Sequence, residues 1–148
     1  MLEPGPGMGF FTLPLARMVG PTGRVIAVDL QPKMIANLKR RGANSNLLDR
    51  IDARVTSAET MNLGDIQAKV DFILAFAVVH ELPDAAKFFR EVACACKPGG
   101  LMLLAEPSGH VKGKDFTAQL DSASSAGFVI KEQPTIPRSQ AAILIKRT

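Results

Sequence analysis

Residues 1–11 read MLEPGPGMGFF, and this stretch decides the predicted fold of the chain. Two apolar residues lead into an acid, Glu3, and three glycines follow at alternate positions before a mainly apolar run over 10–19. Glycine accepts positive φ and lacks a Cβ, so a nucleotide-like ligand can approach the main chain closely. The stretch therefore predicts a strand end, a glycine turn and a helix start, although an ordinary Gly/Pro turn would read the same way.

Beyond this stretch, short apolar or β-branched runs alternate with helical patterns, which favours an α/β fold. Residues 133–140 separate the last two predicted strands, and a connection this short joins antiparallel neighbours. The sequence thus predicts a doubly wound, mostly parallel sheet with one antiparallel strand near its C-terminal end. The strands are predicted over 24–29, 51–56, 70–76, 101–106, 128–132 and 141–146, the helices over 10–19, 33–41, 84–96 and 114–126, with Gly42 capping the second helix and residues 97–100 ending the third.

Length and composition indicate a single domain over 1–148 with enough chain for one sizeable core. The net charge is only +4, the basic residues are scattered, and Tyr and Trp are absent, which disfavours a nucleic-acid surface built from a basic stripe and stacking aromatics. No apolar run approaches the ~18 residues of a membrane span, and no signal-peptide pattern is present. We therefore expect a cytoplasmic protein without membrane contact, and the sequence leaves open whether it forms a homo-oligomer.

The cysteines and histidines do not have the spacing of a metal site. Cys94 and Cys96 fall two apart in a predicted helix, where they point to different faces, so they are predicted to be two small buried thiols. The two histidines are far apart in the sequence. We predict no metal ligands.

Taken together, the loop and the C-terminal hairpin resemble the class I S-adenosylmethionine-dependent methyltransferases. Residues 79–84, VHELPD, and 97–100, KPGG, are similar to the stretches after the fourth strand and before the fifth in the small-molecule branch, the methyltransferase type 11-like enzymes. The resemblance covers the whole chain from Leu2 onward. It implies an enzyme that uses S-adenosyl-L-methionine and transfers its methyl group to a small-molecule acceptor by in-line displacement.

The resemblance also implies a set of cofactor-binding residues. The loop acid, Glu3, would meet the amino group of the cofactor, and the glycines would let the turn pack against its methionine portion and ribose. Asp29 ends the second predicted strand, where a carboxylate can accept hydrogen bonds from both ribose hydroxyls. Alternatively, Glu3 is a solvated strand-end acid and Asp29 a helix N-terminal acid. The predicted cofactor-binding residues are Glu3, Gly5, Gly7, Gly9, Asp29, Leu30 on the adenine face, Ala58 and Glu59 beside the adenine amino group, and Phe76 and Ala77 near the reaction centre.

His80 is the candidate general base, because an unperturbed imidazole titrates at ~6.5 and can take a proton from an acceptor near neutral pH. Glu81, Glu106 and His110 follow strand ends on the same predicted edge. A purely structural role for His80 in the turn after the strand is an equal alternative, and a base is needed only where the acceptor carries a proton that must leave.

Two other functions fit parts of the pattern. A nicotinamide-dependent oxidoreductase would share the glycine loop, but Phe10 holds the third-glycine position of Gly-x-Gly-x-x-Gly, and the C-terminal hairpin disfavours it. A non-catalytic domain that keeps the fold would not need Glu3 and Asp29.

Only two residues precede Glu3, so the sequence predicts a domain that lacks most of its first strand and the helices that usually come before it. A late start codon, a truncated chain or a partner chain that supplies the cover would each account for this. We expect the 148-residue chain alone to bind the cofactor weakly in an open site.

Overall fold

The computed structural model describes all 148 residues, which form two compact units, Met1–Asn62 (unit 1) and Leu63–Thr148 (unit 2). Helices alternate with strands in both units, and the strand pairs are parallel except at the C-terminal end, as predicted for a doubly wound, mostly parallel α/β fold. No helix in the structure combines the length and the apolar character that crossing a membrane requires.

Unit 1 is built from parallel strands joined by helices. Its elements are β1 (Leu2–Pro4), α1 (Thr12–Met18), β2 (Val25–Asp29), α2 (Pro32–Asn44), a 3₁₀ turn (Leu48–Arg50) and β3 (Ile51–Val55). The three strands lie in the order β3-β2-β1, and both pairs are parallel, with Glu3 opposite Ala27 and Asp29 opposite Val55. Helix and strand side chains pack into one core between the strands and α1 and α2, and Leu38 is fully buried in it.

Unit 2 contains the single antiparallel strand. Its elements are 3₁₀ turns at Gly64–Ile66 and Val79–Glu81, β4 (Val70–Phe76), α3 (Ala85–Ala95), β5 (Cys96–Pro107), α4 (Gly113–Ser125), β6 (Phe128–Glu132) and β7 (Ser139–Lys146). The strands β4 and β5 are parallel, whereas β7 pairs antiparallel with both β5 and β6, which confirms the prediction from the short last connection. Phe89 and Phe128 are buried in this unit.

The structure corrects one predicted helix end and one predicted strand start. Gly42 does not cap α2, which continues to Asn44; a Cβ at this position would lie 3.2 Å from Ile51 Cδ1, so the glycine allows close packing inside the helix. The helix α3 ends at Ala95, close to the predicted end, but β5 starts at Cys96 rather than at residue 101. Residues 97–100 therefore belong to β5, whose register shifts after Cys96 pairs with Val70.

The prediction of two buried thiols is half wrong. Cys96 is buried at the start of β5, but Cys94 is exposed on α3. The helix ends between them, so the assumption that both residues share one helix was wrong. Burial raises the pKa of the Cys96 thiol, which is therefore a packing residue rather than a reactive one.

The N-terminus of α3 provides a stability test. Asp84 is the N-cap, and its Oδ1 accepts a hydrogen bond of 2.8 Å from the Lys87 backbone N–H. Asp84→Ala leaves that N–H without its side-chain partner and should lower the free energy of unfolding by about 1 kcal/mol, measured by urea denaturation. Asp84→Asn is the matched control, because its amide oxygen accepts the same bond; an equal loss in both variants would contradict the capping assignment.

Candidate functional site

The glycine turn follows β1 directly and depends on left-handed backbone. Gly5, Gly7 and Gly9 have φ values of 68°, 53° and 89°. The Gly5 N–H donates to the Val28 carbonyl at 2.9 Å, and the Gly9 N–H donates to the Pro6 carbonyl at 2.9 Å. The turn is thereby fixed against β2 and closed on itself before α1 begins.

Two of these glycines meet different surroundings. A Cβ on Gly9 would lie 2.5 Å from Leu38 Cδ1, so this position must be glycine for α2 to pack against the turn. A Cβ on Gly7 would meet no atom within 4 Å within the chain. The open space at Gly7 is where a ligand can approach the main chain.

An arginine from α2 holds the same turn. Arg41 Nη1 donates to the Met8 carbonyl at 2.6 Å. Arg41 was not among the predicted site residues, because the basic residues were considered only as scattered charges. No local spacing connects residue 41 with residue 8, so this contact follows from how α2 packs in unit 1.

Glu3 is a buried acid next to the turn. Its side chain is 3% exposed, and its Oε2 accepts a hydrogen bond of 2.6 Å from Thr12 Oγ1. Burial raises the pKa of Glu3 to about 7, and the Thr12 hydroxyl opposes this shift by hydrogen bonding. Glu3 is therefore not a solvated strand-end acid, and it carries a proton for a large fraction of the time at neutral pH.

Asp29 lies at the end of β2, the strand next to β1. It is half-buried, and its Oδ1 accepts a hydrogen bond of 2.9 Å from the Gln31 N–H, while Oδ2 makes none. Leu30 follows with its side chain 47% exposed. Unit 1 thus places an acceptor oxygen and an apolar surface side by side at the strand ends.

Ala58 and Glu59 lie in the turn that follows β3, and both are exposed. The Thr56 N–H donates to the Asp29 carbonyl at 2.9 Å, so this turn starts beside the end of β2. Ser57 Oγ accepts from the Glu59 N–H at 3.2 Å and holds the turn in shape. Eight of the predicted residues thus lie in, at or just after the ends of the three neighbouring strands of unit 1: Glu3, Gly5, Gly7, Gly9, Asp29, Leu30, Ala58 and Glu59.

The remaining predicted residues follow β4 in unit 2. Phe76 ends the strand and is half-buried. Ala77 has a φ of 54°, and its N–H donates to the Ala105 carbonyl at 2.8 Å. A left-handed conformation is uncommon for alanine and costs on the order of 1 kcal/mol. The chain turns sharply here and enters the Val79–Glu81 turn.

Glu106, at the end of β5, organises that turn. Its carboxylate is fully buried and accepts hydrogen bonds from the backbone N–H groups of Val78 at 3.2 Å, Val79 at 2.9 Å and His80 at 3.2 Å. The Nδ1 atom of His80 lies 2.5 Å from Glu106 Oε2. Glu106 was predicted only as an acid on the sheet edge, although an acid that closes a buried apolar strand needs hydrogen-bond partners.

The other two polar candidates of unit 2 are peripheral. His110 is exposed, and its ring lies 5.7 Å from that of His80 in an edge-to-face arrangement. Glu81 is exposed on the same short turn as His80. No group of three or more acidic, histidine or cysteine side chains is arranged to hold a metal ion.

Comparison with known proteins identifies relatives over most of the chain. A family model described as a methyltransferase domain matches residues 2–104. A ubiquinone biosynthesis O-methyltransferase of Methylocella silvestris is 36% identical over 116 residues, which are 78% of this chain and 43% of the relative. The equivalent enzyme of Rhodopseudomonas palustris is 35% identical over 105 residues, 71% of this chain and 38% of the relative. The chain spans about two fifths of the length of these curated relatives.

Solved structures share the fold. A SAM-dependent methyltransferase from Aquifex aeolicus superposes with a TM-score of 0.82 at 21% identity, covering 97% of this chain and 79% of that one. The [4+2]-cyclase SpnF also superposes with a TM-score of 0.82, at 16% identity, covering 99% of this chain and 74% of its own.

The raised pKa of Glu3 predicts a pH-dependent stability. Between the unfolded value of 4.5 and about 7, the unfolded carboxyl loses its proton while the folded one keeps it. The Glu3 contribution is therefore fully present below 4.5 and is lost as pH rises through about 7, by on the order of 3 kcal/mol. Glu3→Gln has no carboxyl group to ionise at this position. The free energy of unfolding of the variant, relative to that of the wild type, should therefore increase between ~pH 5 and ~pH 8 in urea denaturation.

Glu132→Gln is the control for this experiment, because Glu132 is exposed on β6. It should follow the wild type across the range. A constant difference between Glu3→Gln and the wild type at all pH values would contradict the shifted titration of Glu3.

Proposed function

Because this chain belongs to the methyltransferase-domain family, we propose that it binds S-adenosyl-L-methionine and transfers the methyl group to a small-molecule acceptor. The observation that carries the proposal is the site of unit 1. There, a left-handed glycine turn, open at Gly7, directly follows the strand that carries Glu3, and the neighbouring strand ends at Asp29.

The residues of unit 1 fit this cofactor chemically. Glu3 is a buried carboxyl with one hydroxyl partner, so the cationic amino group of the cofactor would provide the opposite charge that favours its ionised form. Asp29 Oδ2 is available to accept from ribose hydroxyls, which are donors, and the exposed Leu30 offers an apolar surface for the adenine ring. Gly7 leaves room for close approach to the main chain.

The catalytic demands on the protein are modest. The bound cofactor supplies a methyl group already activated on a sulfonium. The chain must hold the acceptor in line with that methyl and keep water away, which are positioning effects. We propose that Phe76 and Ala77, at the end of β4, contact the methionine part, and that His80 accepts the proton of a protic acceptor.

For the acceptor, we propose a small molecule that bears a hydroxyl group. The relatives with the highest identities reported above carry the name O-methyltransferase in ubiquinone biosynthesis. An acceptor hydroxyl must lose its proton during methylation, and His80 lies on the turn after β4 to receive it.

Nicotinamide-dependent hydride transfer is the alternative that shares the glycine loop. Titration calorimetry with S-adenosylhomocysteine and with NADH separates the two functions, because each cofactor class should bind to only one of them. Binding of S-adenosylhomocysteine and silence with NADH is the expected result; the reverse would overturn the proposal.

Asp29→Asn tests the ribose contact. The amide keeps the shape of the side chain, but it loses the charge and replaces one acceptor oxygen by a donor. We expect the affinity for S-adenosylhomocysteine to fall about tenfold or more, since hydrogen bonds to a charged group contribute about 1.5–3 kcal/mol. Calorimetry measures the change.

Asp49→Asn is the matched control, because Asp49 is exposed in the 3₁₀ turn before β3 and has no assigned role. It should bind S-adenosylhomocysteine like the wild type. If Asp29→Asn binds as tightly as Asp49→Asn, the ribose assignment is wrong.

A further inference from the structure

We propose that Glu106 is a positioning residue that fixes the tautomer of His80 and makes its Nε2 atom the proton acceptor of the reaction. The proposal rests on the proposed methyl transfer and deepens it, because it assigns the base to one atom and explains how that atom is held. The observations that carry it all lie within unit 2, around the end of β5 and the turn after β4.

Every acceptor position of the Glu106 carboxylate has a hydrogen-bond partner. A carboxylate offers about four lone-pair sites. Oε1 accepts from the Val78 and Val79 N–H groups, and Oε2 accepts from the His80 N–H and contacts His80 Nδ1. Three of these partners are backbone donors that cannot change their role, so they favour the ionised, acceptor-only form of the carboxyl group.

The ionised Glu106 carboxylate fixes which ring nitrogen of His80 carries the proton. Because Oε2 can only accept in the ionised form, the 2.5 Å contact requires a proton on His80 Nδ1. In the neutral imidazole the other nitrogen then carries the lone pair. The backbone around Glu106 thereby sets the tautomer of His80.

The Nε2 atom of His80 is accessible from outside the protein. The His80 side chain is 20% exposed, whereas that of Glu106 is 0% exposed. The Nε2 atom makes no hydrogen bond and is not among the buried atoms that lack a partner, so it remains reachable from outside. The neighbouring ring of His110 contacts His80 edge to face without occupying that nitrogen by hydrogen bonding.

With Nε2 as the base, methyl transfer to a hydroxyl is accompanied by proton transfer to His80. The acceptor oxygen forms the new C–O bond to the methyl carbon, and its proton passes to His80 Nε2. The electron pair of the broken S–C bond stays on sulfur, which becomes a neutral thioether. The imidazolium formed on His80 is stabilised by the Glu106 carboxylate and returns its proton to solvent.

The test is ¹⁵N NMR of the histidine rings in the full chain, at a pH where the imidazole is neutral. We expect wild-type His80 to carry its proton on Nδ1. In Glu106→Gln the side-chain NH₂ should take the Oε2 position, because only one backbone N–H points there, whereas two point at the Oε1 position. The NH₂ group then donates to Nδ1, which becomes an acceptor, so the ring proton moves to Nε2. Glu132→Gln, an exposed change on β6, should leave the wild-type spectrum unchanged.

Kinetics provide the second readout. With a hydroxyl acceptor that the wild type methylates, Glu106→Gln should lower kcat by about 100-fold or more, the usual range for loss of a general base. Its affinity for S-adenosylhomocysteine should stay within about twofold of the wild type, which a general structural defect would not allow.

Two results overturn the proposal. One is a wild-type His80 with its proton on Nε2, which can be read even if Glu106→Gln fails to fold. The other is full turnover by a folded Glu106→Gln. Failure of the wild type to bind S-adenosylhomocysteine would instead refute the proposed function, and the calorimetry reports that separately from the tautomer.

Discussion

The hydrogen bonding of the buried Glu106 carboxylate is the interaction on which the ordered strand ends of unit 2 depend. Removing an ionised carboxylate from water costs several kcal/mol unless donors replace the lost hydration. The three backbone N–H groups that follow Ala77 provide this replacement. The left-handed backbone of Ala77 costs about 1 kcal/mol, and charge-assisted bonds of about 1.5–3 kcal/mol each exceed it. The left-handed backbone of Ala77 is therefore tolerated, because the hydrogen bonds of the following N–H groups to Glu106 offset its cost.

Glu3 shows the opposite balance in unit 1. It is nearly as buried as Glu106 but has one hydroxyl donor, Thr12, where Glu106 has three backbone donors and an imidazole. Desolvation consequently prevails, and the pKa rises to about 7. Under the proposed function, an approaching ammonium group would reverse this balance, because a nearby cation favours the ionised form. Binding of the cofactor would then be coupled to release of a proton from Glu3 at neutral and lower pH.

Most strands were predictable because they are local runs of apolar or alternating residues, and so was the antiparallel strand, because the last connection is short. What the sequence could not provide were properties set by tertiary packing. Gly42 has the signature of a helix cap, yet the nearby Ile51 side chain explains it as a packing position within α2. Likewise, the role of Glu106 depends on the register of β5 against β4, which places residue 106 opposite the turn at 78–80. Neither relation is encoded in local spacing.

The fold alone does not decide the reaction, since a [4+2]-cyclase and a SAM-dependent methyltransferase superpose on this chain equally well. The glycine turn and the carboxylates beside it are suited to hold a cofactor, and that task is shared by any reaction that uses the same cofactor. What distinguishes one reaction from another must come from groups that act on the second reactant. Under the proposed function, the His80–Glu106 pair of unit 2 receives the proton of the acceptor, and an acceptor without a proton to lose would have no use for it. The proposed role of this pair therefore agrees with a hydroxyl acceptor and not with an aprotic one.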